Sequence, residues 1–279
     1  MSKKALKHDE VGYWSEIKLD IVKKYASAYS TILAKQNVVR AHLYIDAFAG
    51  AGTHLSKTTG EMIAGSPVNA MAIQPPFSEL HFIDMDGTRT GELRGIAADD
   101  RRVIVHDGDC NEVLLRDVFP RCRYEDYRRA LCLLDPYGLS VDWDVLKTAG
   151  QMKSVEIFYN FMIMDANMNA LKKDPSKVAR DQSARMDAMW GDNSWRSSAY
   201  KTTQDLLGDV ETKDSNDAIA EAFRKRLKQV AGFAYVPKPI PMRNEQGAVI
   251  YYLYFASPKD VGGKIVEEIF ETYRTRGAH

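Results

Sequence analysis

Five short apolar segments, each followed by a helical pattern, constrain most strongly what this chain can fold into. Residues 42–48, 80–84, 103–106, 130–134 and 155–161 are strand-length, apolar and bounded by turn residues. Helical periodicity follows four of them, at 66–74, 87–98, 111–119 and 141–150, and precedes the first at 16–36. In the 16–36 helix, Ile17, Ile21, Tyr25, Ala28 and Ile32 lie along one face. Near-continuous apolar strands alternating with helices predict a parallel sheet covered on both faces, an α/β doubly wound fold. Ser66-Pro67 is a helix start, with Ser as cap and Pro in the first turn. The 141–150 helix is expected to end on Gly150.

Residues 162–212 break the alternation. They are polar and Met-rich, carry Trp190 and Trp195, and are expected to be an insertion after the fifth strand. A helix resumes at 217–230. Strands at 232–237 and 248–255 are expected to pair as a hairpin through Asn244, Glu245, Gln246 and Gly247. The prolines between 237 and 241 limit regular pairing just before that turn. A helix at 260–273 closes the pattern. The organisation expected is an N-terminal helical segment, 1–40, and one domain, 41–279, holding the 162–212 insertion. The sheet would be seven-stranded and mostly parallel, with a C-terminal antiparallel hairpin.

The chain has 279 residues, with Lys+Arg and Asp+Glu equal at 38 each, so it is not a general polycation for nucleic acid, although a local basic face remains open. No apolar run reaches membrane-spanning length, and the opening MSKKALKHDE lacks the apolar core of a signal peptide. A cytoplasmic location is the expectation. Cys110, Cys122 and Cys132 fit no zinc spacing, and an odd number argues for reduced thiols. The histidines show no H-x-x-x-H spacing, and no metal site is expected.

The first strand runs through Asp46 and Phe48 into a turn containing Gly50 and Gly52. Glycine there permits positive φ and lets the backbone approach a ligand. Such a turn at the carboxyl edge of a parallel sheet is where nucleotide-type ligands bind, though small residues also make ordinary tight turns. The polar stretch 53–64 is long for a loop between a strand and a helix. His54 within it could reach a pocket or be solvated. Acids follow two further strands: Asp84, with Asp86 as an alternative, and Asp109 in Asp107-Gly108-Asp109-Cys110. Each could bind a ligand or cap a helix.

This order of elements resembles the class I S-adenosylmethionine-dependent methyltransferases over about residues 41–273. The resemblance implies that Asp46, Gly50 and Gly52 lie against the methionine part of the cofactor. It implies that Asp84 accepts the ribose hydroxyls and Asp109 the adenine amino group. Phe48 and Cys110 join the implied cofactor residues.

Asp135-Pro136-Tyr137-Gly138, after the fourth strand, resembles the Asp-Pro-aromatic motif of methyltransferases that act on amino groups of nucleic-acid bases. An exocyclic amine is a poor nucleophile while its lone pair is delocalised into the ring. A carboxylate and a backbone carbonyl that accept its hydrogens favour the tetrahedral nitrogen needed for attack. An aromatic ring can stack on an unstacked base. The alternative is an Asp-Pro turn with an outward aromatic. The adenine-type pattern is Asp-Pro-Pro-Tyr, whereas here the aromatic stands one position earlier, a form closer to a tRNA guanine-N2 methyltransferase family. Asn160, at the end of the fifth strand, could face the same pocket or cap the next helix.

The chain as a whole resembles the bacterial three-Cys-motif partner protein family. The matching pieces are Ile17-Lys18-Leu19 to Tyr25, Asp46 to Gly52, Gly65-Ser66-Pro67, Phe82-Ile83-Asp84, Gly108-Asp109-Cys110-Asn111, Asp135 to Gly138 and Asn160-Phe161-Met162. The resemblance implies a methyltransferase-like fold and a three-Cys-motif protein encoded nearby as partner.

Basic residues gather at Arg121, Arg123, Arg128 and Arg129, and at Arg224, Lys225, Arg226 and Lys228, both expected to be solvated faces. The insertion, with Lys172, Lys173, Lys177, Arg180 and Arg185 among Trp190 and Trp195, is expected to be the nucleic-acid contact. The expected function is methylation of a base amino group in DNA or RNA with S-adenosylmethionine. Asp135, Pro136 and Tyr137 would be catalytic. The alternative is a non-catalytic or partner-dependent binding subunit.

Overall fold

The computed structural model describes residues 10–57, 59–205 and 208–274. The chain divides into two units, Met1–Cys132 with Glu268–His279, and Leu133–Glu267.

In the first unit, β1 (Glu10–Val11) precedes α1 (Tyr13–Ala34), which buries Ile17, Ile21, Val22, Tyr25, Ala26 and Tyr29. The buried stripe follows Tyr29 rather than the expected Ala28 and Ile32, which stay half-buried. β2 (Ala41–Asp46) is buried at all six positions. It ends before Phe48 because the chain turns there.

The expected loop at 53–64 is instead a hairpin of β3 (Thr53–Ser56) and β4 (Met62–Ala64), with β1 parallel to β3. Such short polar strands leave too little alternation to read from sequence. α2 (Ser66–Met71) is capped by the backbone of Gly65, not by Ser66, and stops short of Gln74. β5 (Glu79–Asp84), α3 (Gly87–Ile96) and β6 (Val103–Asp107) follow. β2, β5 and β6 pair in parallel, with Asp46 opposite Phe82 and Asp84 opposite Asp107. α4 (Cys110–Val113) continues as a π turn over Leu114–Val118 and a 3-10 turn over Phe119–Cys122. β7 (Arg128–Leu134) runs to the unit boundary.

In the second unit, α5 (Trp143–Met152) runs past Gly150 and ends at Lys153, whose φ is 59°. Gly150 serves packing: a Cβ there would lie 2.2 Å from the Ala231 carbonyl oxygen. β8 (Val155–Phe161) is wholly buried, as its apolar run implies. The 162–212 stretch folds into α6 (Ile163–Asn169), α7 (Arg180–Trp190), α8 (Trp195–Ala199) and a hairpin of β9 (Tyr200–Asp205) and β10 (Gly208–Lys213).

Trp190 and Trp195 are buried rather than displayed. Their Nε1–H groups donate to Ser194 Oγ at 3.1 Å and Asp187 Oδ1 at 2.6 Å. Phe223 of α9 (Asn216–Gln229) packs against Trp143, Tyr159, Phe161, Trp190 and Tyr254. The insertion thus shares the unit's core, and its indoles offer no stacking platform for bases.

β11 (Ile240–Arg243) pairs antiparallel with β12 (Val249–Ala256), which pairs antiparallel with β8. The strand expected at 232–237 lies instead at 240–243, and Tyr235 makes only an isolated bridge to Ser257. Pro241 is tolerated within β11 because that strand is a sheet edge. α10 (Asp260–Arg274) closes the described chain. The seven-stranded sheet has the order β11-β12-β8-β7-β2-β5-β6. It is the expected α/β architecture, mostly parallel with a C-terminal antiparallel hairpin.

Candidate cofactor and amine sites

The glycine turn of the first unit is tied to the end of β5 by backbone bonds. Ala49 N–H donates to the Ile83 carbonyl at 2.9 Å, and Gly50 N–H to Asp84 Oδ2 at 2.9 Å. Gly50 and Gly52 have φ of 61° and 85°, where L side chains are strained. A Cβ on Gly52 would also press on Ile96 and Leu93 at 3.2 and 3.3 Å. Asp46, fully buried, accepts the Phe48 N–H on Oδ1 at 3.2 Å. Phe48 itself is half-buried.

Asp84 is the hub of this edge. Its Oδ1 accepts the Asp86 N–H at 2.8 Å, and its backbone carbonyl accepts the Gly108 N–H at 3.1 Å. The turn after β2, the end of β5 and the turn after β6 are thereby joined. A carboxylate offers about four acceptor positions. Two at Asp84 are taken by backbone N–H groups, and the Arg89 guanidinium stands 4.0 Å from Oδ2, on a side chain 12% exposed. The remaining lone pairs suit a hydroxyl donor.

Asp86 and Asp109 both cap helices. Asp86 accepts from Thr88 N–H, and Asp109 Oδ1 accepts from Asn111 and Glu112 N–H at 2.9 and 3.3 Å. Cys110 opens α4 with its side chain buried. His54 is not a solvated loop residue. It sits in β3, where a Cβ on Gly65 would meet its Nε2 at 3.0 Å and one on Gly50 its Cε1 at 4.0 Å.

In the second unit, Asp135 follows β7 and its Oδ1 accepts a bond from Asn160 Nδ2. Asn160 does not cap α6, whose cap position is Met162. Pro136 is buried and Tyr137 is 73% exposed, so the ring is displayed to solvent.

The loop is anchored by residues the motif does not contain. Asp165 Oδ2 accepts from Leu139 N–H at 3.0 Å and from Arg185 Nη2 at 2.9 Å. A Cβ on Gly138 would meet that oxygen at 2.9 Å, so glycine lets the loop close onto Asp165. Arg185 is therefore a structural tie. Sequence reasoning also missed Tyr251 of β12. Its hydroxyl is buried with no hydrogen-bond partner among the described residues, as is Oδ1 of Asn160. Burial, with the charge of Asp135, pushes the Tyr251 hydroxyl well up.

The basic clusters are largely paired. Arg128 and Arg121 meet Glu79 at 2.5 and 3.1 Å, and Arg129 lies over the Tyr124 ring. Arg226 pairs with Asp192 and Arg224 with Glu221. Among the described residues no helix is long and apolar enough to cross a membrane.

No family model and no curated protein matches the chain. Protein LPL1258 from Legionella pneumophila is similar in structure at 11% identity and TM-score 0.53, over 95% of this chain and 94% of that one. The DszA carbon methyltransferase aligns at 12% identity and TM-score 0.43, over 87% and 54%. Aeropyrum pernix fibrillarin, solved with bound S-adenosyl-L-methionine, aligns at 10% identity and TM-score 0.31, over 87% and 76%. The likeness to LPL1258 is one of fold alone.

Proposed function

We propose that this protein is an S-adenosylmethionine-dependent methyltransferase that modifies an exocyclic amino group of a nucleic-acid base. The observation that carries the reading is the Asp135–Asn160 pair, followed in the chain by the displayed ring of Tyr137. A carboxylate held in one orientation is what an amine needs to be presented lone pair first.

In this reading Asp84 accepts the cofactor's ribose hydroxyls and the backbone from Asp46 to Gly52, with Phe48, borders its methionine part. Asp109 and Cys110 border the adenine. The cofactor supplies an electrophilic methyl group when bound. Asp135 and the backbone carbonyl of Pro136 accept the two amine hydrogens, which localises the lone pair on nitrogen. Tyr137 stacks on the base. The proton leaves the methylated nitrogen after transfer, with Asp135 oriented to receive it. The resemblance to the three-Cys-motif partner family supports a second protein as partner, encoded nearby.

The test is methyl transfer from isotopically labelled S-adenosylmethionine to DNA and RNA pools, read as modified nucleosides by mass spectrometry. The expected product is a base methylated on its amino nitrogen, lost with Asp135→Ala. Transfer undiminished in that variant would overturn the role of Asp135.

A further inference from the structure

The amine site contains more recognition chemistry than presenting an amine requires. Asn160 and Leu253 stand directly opposite each other in β8 and β12, and Tyr251 lies two residues from Leu253. Cross-strand partners and i, i+2 neighbours share a sheet face, so Asn160 and Tyr251 project from the same side. Tyr252 and Tyr254 project from the other, where their hydroxyls bond Asp217 and the Ala220 carbonyl.

Tyr251 and Asn160 are 6% and 1% exposed, and each has a buried polar atom, Oη and Oδ1, without a partner among the described residues. Buried polar atoms are nearly always satisfied, and those that are not mark strain, a bridging water or ion, or a functional role. The Asn160 amide is oriented by its Nδ2–H bond to Asp135, which leaves Oδ1 as a fixed acceptor. The Tyr251 hydroxyl lies within electrostatic range of the same carboxylate and can donate.

We propose that Tyr251, Asn160 and Asp135 form one recognition surface for an amidine edge, an NH2 group next to a ring nitrogen that bears no hydrogen. This inference rests on the amine-directed reading above and adds to it the residue that reads the ring nitrogen beside the amine. Asp135 and Asn160 Oδ1 accept the two amine hydrogens, Asn160 Oδ1 sharing one of them with the Pro136 carbonyl. Tyr251 Oη donates to the neighbouring ring nitrogen. Cytosine, adenine and guanine carry such an edge. Uracil does not: its carbonyl would face the Asp135 and Asn160 acceptors. Tyr251 is then a specificity-determining residue.

The experiment uses the full chain with saturating S-adenosylhomocysteine, so that nucleosides do not report on the cofactor pocket. Affinities are measured by NMR titration for cytidine, adenosine, guanosine and uridine. The tightest-binding amine nucleoside is then compared with its deaza analogue, in which C–H replaces the ring nitrogen beside the amine. Wild type is expected to prefer an amine nucleoside over uridine by about tenfold and over the deaza analogue by about fivefold, the worth of one hydrogen bond. Tyr251→Phe, which keeps the ring, is expected to bind the nucleoside and its deaza analogue equally, with S-adenosylhomocysteine affinity unchanged.

Binding of uridine as tight as the amine nucleosides, no nucleoside binding at all, or an undiminished deaza penalty in Tyr251→Phe would overturn the assignment. The methyltransferase reading is judged separately. Amine preference without methyl transfer to any nucleic acid would sink that reading and leave the recognition surface standing. Methyl transfer without the preference would do the reverse.

Discussion

Asn160, near the end of β8, donates its amide N–H to Oδ1 of Asp135, the first residue beyond β7. One strand end thereby orients the carboxylate presented by another. Replacing Asn160 by Ala removes that bond and frees Asp135 to rotate. A hydrogen bond to a charged group contributes about 1.5–3 kcal/mol, so methyl transfer is expected to fall by about 10- to 100-fold. S-adenosylmethionine affinity is expected to stay unchanged. Steady-state kinetics beside calorimetry checks both halves.

The glycine turn makes a stability prediction. Gly52→Ala places a Cβ at φ 85° and 3.2 Å from Ile96 Cδ1. The left-handed conformation alone costs about 1–2 kcal/mol for an L residue. Denaturant unfolding should show at least that loss.

Much of the edge was legible in the sequence, for a physical reason. Asp46, Asp84 and Asp135 each fall where a buried strand meets a turn, and a parallel strand buried on both faces is a short apolar run with a sharp end; Asp109 follows the half-buried edge strand β6. Asn160 was placed at its strand end by the same reasoning, though not its bond to Asp135. What escaped depends on contacts distant in sequence. Trp190 and Trp195 look like exposed rings in a polar segment, yet Phe223 and partners for both indole nitrogens bury them. Tyr251 sits in an apolar strand with nothing local to separate it from Tyr252. Arg185 reads as a phosphate contact until Asp165 is seen beside it. The partner of β12 shifted from 232–237 to 240–243 because an edge strand tolerates Pro241.

Acid sensitivity should arise at the β5–β6 edge. His81 is buried, bonded to His106 at 3.0 Å and to Glu79 at 3.2 Å. Desolvation, with the positive charges of His106 and Arg121, lowers it from 6.5 to about 4 against the opposing pull of Glu79. Below pH 6.5 the unfolded chain binds a proton that folded His81 refuses until about pH 4. Stability is therefore lost as pH falls through that window, by on the order of 3 kcal/mol. Desolvation also lowers His106, which adds loss in the same direction. Unfolding free energies measured across that range should show the slope, and His81→Gln should flatten it.

The thiols should be inert in the native state. Burial pushes Cys122 up to about 12 and Cys132 well above its usual range. Neither should react with a maleimide at neutral pH until the protein is unfolded, because the thiolate is the nucleophile. Mass spectrometry of a labelling time course checks this.

Cofactor binding in this reading depends on the edge around Asp84, which joins three turns and accepts a backbone N–H on each carboxylate oxygen. The most direct measurement is calorimetric titration of the purified protein with S-adenosylmethionine and S-adenosylhomocysteine, in parallel with Asp84→Ala. Micromolar binding by the wild type, weakened at least tenfold in a folded Asp84→Ala, is the predicted result. Absence of binding by the folded wild-type chain, or equal binding by the variant, would contradict it.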